Sequence, residues 1–113
     1  MRHQFTKRET KFGIGNKQDR TRLTHWGEYA FDSVKEAMRF DQLVLLQKAG
    51  EILTFVPQVG FPLGGTRYRC DFMIFWSNQT VTFEDVKGYA TNAYKAKKRR
   101  VEELYRPITI AEL

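Results

Sequence analysis

The chain has 113 residues, of which 42% are hydrophobic, enough for one core and too many for a disordered composition. Its 19 basic and 13 acidic residues give a net charge of +6, so we expect a polyanionic partner, with nucleic acid ahead of an acidic membrane surface. The absence of a long apolar run predicts no membrane partner and a cytoplasmic location. The single cysteine, Cys70, excludes an internal disulfide, fits a reducing compartment and reads as a small buried apolar residue.

The first 24 residues form a basic segment with few apolar side chains. It contains seven Lys or Arg residues and two acidic residues, and so carries +5 of the net charge. We interpret residues 1–24 as a partly disordered arm and residues 25–113 as the folded domain. The arm either lies along phosphates, with Arg20 and Arg22 among the contacts, or only aids solubility.

The first helix is predicted to begin after a cap at Asp32 or Ser33, to run to about Ala49 and to end at Gly50. Both of its sides carry apolar residues, so we expect it to be buried against the sheet and against a second subunit. One side comprises Val34, Ala37, Met38, Val44, Leu45 and Ala49; the other comprises Phe40, Leu43 and Leu46.

Glu36 has two readings. Ser33-x-x-Glu36 has the spacing of a capping box, in which the Glu36 side chain returns to the backbone of Ser33. Spacing alone favours this cap over a role as a metal ligand.

The strands begin after Gly50. We predict a strand over 51–56 that is broken at Pro57, and residues 59–63 either continue this strand or form a second arm. A hairpin is predicted over 68–87 with a polar turn at 77–79. Because side chains alternate faces along a strand, Asp85 and Lys87 aim at one point, and Asp71 joins them if the two strands share a face. Burying two carboxylates and an ammonium is costly unless they have a function, which favours a divalent cation and phosphate chemistry. An Asp85–Lys87 ion pair at a strand edge is the structural alternative.

A second helix is predicted from Thr91 or Asn92 to about Tyr105, followed by a short strand over 108–110. Its core stripe is assigned to Ala93, Ala96, Val101 and Leu104. Five of the six residues in the run 95–100 are basic, and we expect them to contact DNA phosphates unless they are simply solvated. These residues are Lys95, Lys98 and Arg99, placed opposite the stripe, and Lys97 and Arg100, which border it.

The order of elements predicts an α/β protein with a mixed sheet, and its motifs resemble those of a known superfamily. Asp71 on one strand, followed on the next by Asp85-Val86-Lys87, resembles the signature of the PD-(D/E)xK nucleases, with Cys70 where the signature has proline. Together with the 33–37 segment and the basic helix after Gly88, it resembles the small nuclease-like proteins of phages and prophages. The likeness covers roughly residue 31 to the C-terminus.

The resemblance implies a single restriction-endonuclease-like domain in which helices flank a mixed sheet in the order α-β-β-β-α-β. It also implies hydrolysis of DNA phosphodiester bonds with Mg²⁺, for which Mn²⁺ substitutes. The implied metal ligands are Glu36, Asp71, Asp85 and the Val86 carbonyl oxygen, while Lys87 touches the attacking water or the phosphate. In these nucleases a first-helix Glu helps to hold metal, which favours the ligand reading of Glu36.

The expected substrate is branched DNA, with four-way (Holliday) junctions first, cut by a homodimer. A chain of this size has little room for a separate sequence-reading element, and its spread charge suits recognition of phosphate positions and shape. The small phage members of the superfamily include junction resolvases, which implies phage DNA recombination, replication or repair in a bacterial host cell. The alternative is a DNA-binding or assembly protein on the same fold that cuts nothing.

Overall fold

The computed structural model describes residues 15–86 and 90–113. A 3-10 turn (Gln18–Arg20) precedes strands β1 (Thr21–Thr24) and β2 (Gly27–Ala30), helix α1 (Val34–Lys48), strands β3 (Ile52–Pro62), β4 (Arg67–Trp76) and β5 (Val81–Asp85), helix α2 (Asn92–Leu104) and strand β6 (Ile110–Glu112). The predicted α/β class and the order α-β-β-β-α-β are confirmed. The chain divides between Val44 and Leu45 into two compact units. Neither of the helices in the described ranges is long and apolar enough to cross a membrane.

The first unit contains an antiparallel hairpin, formed by β1 and β2, that the sequence did not reveal. Arg20 donates to the Phe31 carbonyl at 2.7 Å, and the Nε of Arg22 lies 2.9 Å from an Asp41 carboxylate oxygen. Residues 18–24 of the predicted arm are therefore folded, since they form the 3-10 turn and β1. Residues 1–14 lie outside the described residues.

Aromatic rings pack together beside this hairpin. Phe31, which is fully buried, lies 5.1 Å from Phe40 and 4.9 Å from Tyr29, measured between ring centroids. Trp26 stands edge-on to Phe40 at 5.9 Å. These contacts join the hairpin to α1 within the first unit, because large aromatic surfaces gain most from removal from water.

Helix α1 has the predicted ends but a narrower buried face. The Ser33 hydroxyl accepts a hydrogen bond from the Glu36 amide at 3.1 Å, and Gly50 beyond the C-terminus has φ = 80°. The buried residues are Glu36, Ala37, Phe40 and Leu43. Two members of the predicted apolar face are largely exposed, Met38 at 55% and Leu45 at 64%. The prediction is wrong for these two residues and is confirmed for Ala37, Phe40 and Leu43, because the helix packs through the side that carries the aromatic Phe40.

The second unit is built on a four-stranded mixed sheet in the order β3-β4-β5-β6. The first three strands are antiparallel, and β6 runs parallel to β5 with Ile110 opposite Phe83. The predicted break at Pro57 does not occur, because β3 continues through it with Pro57 opposite Phe72, and of the two alternatives for residues 59–63 the continued strand is the one observed. β3 is an edge strand of this sheet, where a residue without an N–H is tolerated.

One face of β4 forms the core of the second unit. Tyr68, Cys70, Phe72 and Ile74 occupy alternate positions and are all buried. Phe61 on β3, Val101 on α2 and Ile110 on β6 complete a cluster with Tyr68 and Cys70.

The residues of helix α2 that face this core differ from the predicted ones. Only Val101 of the predicted stripe is buried, while Ala93, Ala96 and Leu104 are exposed. Tyr94, Lys98 and Tyr105 are half-buried, so the inward series is 94, 98, 101 and 105. Two tyrosine rings bury more apolar surface than two alanines, and this difference sets the rotation of the helix.

Candidate active site

Two aspartates lie opposite each other where the pairing of β4 with β5 ends. The last pair of the ladder is Phe72 with Glu84, so the next positions are Asp71 and Asp85. The Asp71 amide donates to Oδ1 of Asp85 at 2.9 Å, and the Val86 amide donates to Oδ2 of Asp71 at 2.8 Å. Each carboxylate thus accepts a backbone N–H of the neighbouring strand. The two predicted site residues are brought together as the shared-face argument required.

The aspartate pair (Asp71 and Asp85) is almost completely removed from water. Asp71 is 4% exposed and Asp85 is 0% exposed. Two adjacent carboxylates repel each other in such a place unless a positive charge or a proton offsets them. The backbone N–H donors favour the charged forms, which makes the pair suited to a cation.

Tyr94 from α2 contacts the aspartate pair and was missed by the sequence analysis. Its hydroxyl donates to Oδ2 of Asp85 at 3.2 Å. Burial, and then the charges of Asp85 and Glu112, raise the pKa of Tyr94 well above its usual range, so this side chain stays a protonated donor. The signal that would have found it is its position seven residues before Val101, on the same side of the helix.

A second set of charges continues from Asp85 onto β6 and α2. The register places Glu112 opposite Asp85, and the Lys98 ammonium lies 3.3 Å from the Glu112 carboxylate. Lys98 also lies 3.9 Å from Glu102, which accepts the Ile110 amide at 2.8 Å. The prediction that Lys98 projects away from the core is wrong, because these two acids hold it at the sheet.

The other basic residues of α2 remain on the surface. Lys95, Lys97, Arg99 and Arg100 are all exposed. Lys97 also reaches Thr66 Oγ1 at 3.3 Å. Their role in binding DNA stays a prediction, as does that of Arg20 and Arg22, which make the hydrogen bonds within the first unit described above.

Cys70 lies one residue from Asp71 but offers no nucleophile. It is a free cysteine with no exposed surface, which confirms the prediction of a buried core residue. Burial raises the pKa of its thiol to about 12, and the thiolate needed for attack is therefore negligible near neutral pH. Glu84 is also buried, at 5% exposure, on the face opposite to Asp85.

Two predicted site residues, Glu36 and Lys87, remain. Glu36 is 2% exposed, and its backbone N–H makes the bond to Ser33 that a capping box requires; whether its carboxylate also binds metal stays a prediction. Lys87 lies outside the described residues. Within 15–86 and 90–113, no group of three or more His, Cys, Asp or Glu side chains is arranged to hold a metal ion.

Fold and site together define an α/β protein with a buried aspartate pair at the end of a mixed sheet. The chain belongs to the family described as a protein of unknown function, DUF1064, which matches residues 17–112. No curated protein matches it. The family match begins at Lys17, inside the segment that the sequence analysis set apart as an arm, and so agrees with the folded hairpin there.

Replacing Tyr94 by Phe tests its bond to Asp85. The ring is kept, including its contact with Tyr68 at 6.0 Å between centroids, while a donor to a charged acceptor is lost. We expect Tyr94→Phe to lower the free energy of unfolding in urea by about 1.5 kcal/mol. The matched control is Tyr105→Phe, which removes a hydroxyl that donates to the uncharged Pro62 carbonyl, and this should cost about 0.5–1 kcal/mol. A Tyr94→Phe protein at least as stable as the control would contradict the assignment.

Proposed function

We propose that this protein is a Mg²⁺-dependent endodeoxyribonuclease that hydrolyses phosphodiester bonds in branched DNA. The observation that carries the proposal is the aspartate pair, buried and held by crossed backbone hydrogen bonds at the end of the β4–β5 hairpin. A sheet needs no acids there for packing, whereas phosphoryl chemistry needs adjacent carboxylates to hold a cation.

The chemistry of the donors fits magnesium. Asp71, Asp85 and the Val86 carbonyl would supply hard oxygen ligands, with Glu36 as a further carboxylate and water completing the shell. A carboxylate has about four lone-pair sites, so the hydrogen bonds to the pair leave capacity for a metal. When bound, Mg²⁺ makes a water nucleophilic and neutralises charge on the phosphate.

The chain's own contribution is preorganisation. The amides of Asp71 and Val86 fix the two carboxylates, and the Tyr94 hydroxyl holds the second oxygen of Asp85. Fixed carboxylates pay no reorganisation cost when the charge of the reacting phosphate develops. We propose that Lys87, two positions after Asp85 in the sequence, contacts the attacking water or the phosphate.

The exposed basic face of α2 supports a DNA substrate. Four of its basic residues project into solvent directly after the segment that carries Asp85. Phosphate contacts of this kind position a duplex without reading its sequence. The proposed DNA contacts are accordingly Lys95, Lys97, Arg99 and Arg100, with Lys98 in a supporting role through its acidic partners.

The proposed homodimer draws on α1. Met38 and Leu45 are two turns apart on this helix, and both are more than half exposed. Large apolar side chains repeated on one side of a helix suit burial by a second subunit. A dimer would place two sites across a junction and would cut its strands symmetrically.

Cleavage of supercoiled and branched DNA, with Mg²⁺ and with chelator, tests the enzyme proposal. Asp71→Asn and Lys87→Ala should each lower the rate by about a hundredfold or more, because a ligand and a group at the reacting phosphate are lost. Glu36→Gln should lose activity but little stability, since Gln serves in a capping box. Glu103→Gln, an exposed acid on α2, is the control and should cut like the parent.

The outcomes separate the two functions. Binding without cleavage by the parent would identify a DNA-binding or assembly protein instead. Full activity of Asp71→Asn or Lys87→Ala would remove those residues from the site, and full activity of Glu36→Gln would return Glu36 to its capping role.

Matched four-way, Y-shaped and linear duplex DNA at equal salt test the substrate. We expect the four-way junction to be cut fastest, because two sites related by symmetry fit its two equivalent strands. Molecular mass measured in parallel should give a dimer at the active concentration. Equal cutting of the three DNAs, or full activity of a monomer, would refute the junction proposal and leave the nuclease proposal standing.

A further inference from the structure

A pocket of about 520 Å³ opens beside the aspartate pair. Its lining residues are Gln58, Gly60, Arg67, Arg69 and Asp71. Arg67, Arg69 and Asp71 take alternate positions on β4 and therefore share one face. β3 supplies the other wall, with Gly60 directly opposite Arg69 in the register. The pocket thus joins two guanidinium groups to one member of the aspartate pair.

Gly60 makes room for Arg67. A Cβ atom at position 60 would lie 3.0 Å from both Nε and Nη2 of Arg67. The guanidinium therefore rests directly over the bare backbone of β3 instead of extending straight into solvent. A glycine inside a strand typically marks such a close approach.

The chemistry of the lining selects an anion. Arginine presents planar N–H donors that match the oxygens of a phosphate in pairs. Both arginines are exposed, so they are accessible to a ligand. None of the five residues that line the pocket offers an aromatic face on which a base could stack, so the ligand is held by its phosphate and not by its base.

We propose that the pocket between Arg67 and Arg69 binds one phosphodiester group of a nucleic-acid strand next to the aspartate pair. This inference deepens the proposed function, on which it rests, by naming the residues that position the strand at that site. It holds the strand from the side of β3 and β4, whereas the basic face of α2 contacts DNA from another element. Neither arginine belongs to the residues that the sequence analysis selected.

Three variants test the pocket by fluorescence anisotropy with a short single-stranded oligonucleotide in chelator. Arg69→Gln should weaken binding roughly tenfold, because a charged donor to a phosphate is lost. Gly60→Ala keeps every charge, but its methyl group lies 3.0 Å from the Arg67 guanidinium, which must shift by a few tenths of an ångström, so binding should weaken by less than in Arg69→Gln. The control, Lys48→Gln, removes an exposed charge at the end of α1, before β3 begins, and should change binding by less than about twofold.

A neutral methylphosphonate placed at successive positions of the oligonucleotide locates the contact. The parent protein should bind more weakly when the methylphosphonate stands at one or two particular positions. For Arg69→Gln, a methylphosphonate at those positions should cause no further loss of affinity, because the contact is already missing. Inorganic phosphate at equal ionic strength should not displace the strand. Displacement at low concentration would instead assign the pocket to free phosphate and overturn the inference.

The result separates this inference from the nuclease proposal. If Arg69→Gln and Gly60→Ala both bind like Lys48→Gln, the inference is overturned, whatever the cleavage assay shows. If the parent cuts nothing with Mg²⁺ while Arg69→Gln loses its contact at one phosphate, the pocket stands and the nuclease proposal falls. Equal midpoints of thermal unfolding for the variants would exclude misfolding as the cause of weaker binding. If Arg69→Gln is unstable, binding by Gly60→Ala decides the test.

Discussion

Crossed hydrogen bonds between two aspartates and two backbone amides fix the end of the β4–β5 hairpin, and the rest of the site depends on them. Here the backbone amides of Asp71 and Val86 donate to the side-chain carboxylates of Asp85 and Asp71. The strands are thereby held together at their charged end without a further backbone pair. Asp85 also accepts the Tyr94 hydroxyl, and Asp71 borders the pocket of Arg67 and Arg69.

Burial makes this arrangement costly and therefore informative. Each ion removed from water costs several kcal/mol, and adjacent like charges add to that cost. Hydrogen bonds from amides and from a phenol that stays protonated offset part of it. A bound cation would offset the remainder, and this is the reason for our proposal of metal-dependent phosphoryl chemistry. The arginines beside Asp71 supply positive charge on the side where a phosphate would enter.

The aspartate pair could be predicted from the sequence because the geometry of a hairpin depends on residues that are close together in the chain. The short polar turn sets the register, and the two-residue period of a strand then places Asp71 opposite Asp85. The rotation of α2 could not be predicted in this way, because packing of Tyr94 and Tyr105 overrides a stripe built on alanines. Lys98 was misplaced for the same reason. The Arg67 and Arg69 pocket depends on β3 pairing with β4 across Gly60, a tertiary contact without a local signal.

The most direct test of the central claim is a crystal structure of the protein grown with Mn²⁺, in which anomalous scattering locates the metal. The account predicts a peak about 2.1 Å from carboxylate oxygens of both Asp71 and Asp85, the distance typical of a small divalent cation with oxygen ligands. The hydrogen bonds from the backbone amides of Asp71 and Val86 to the two carboxylates should still be present in the metal-bound protein. A protein saturated with Mn²⁺ that shows no peak at the aspartate pair, or a peak only elsewhere, would contradict the account.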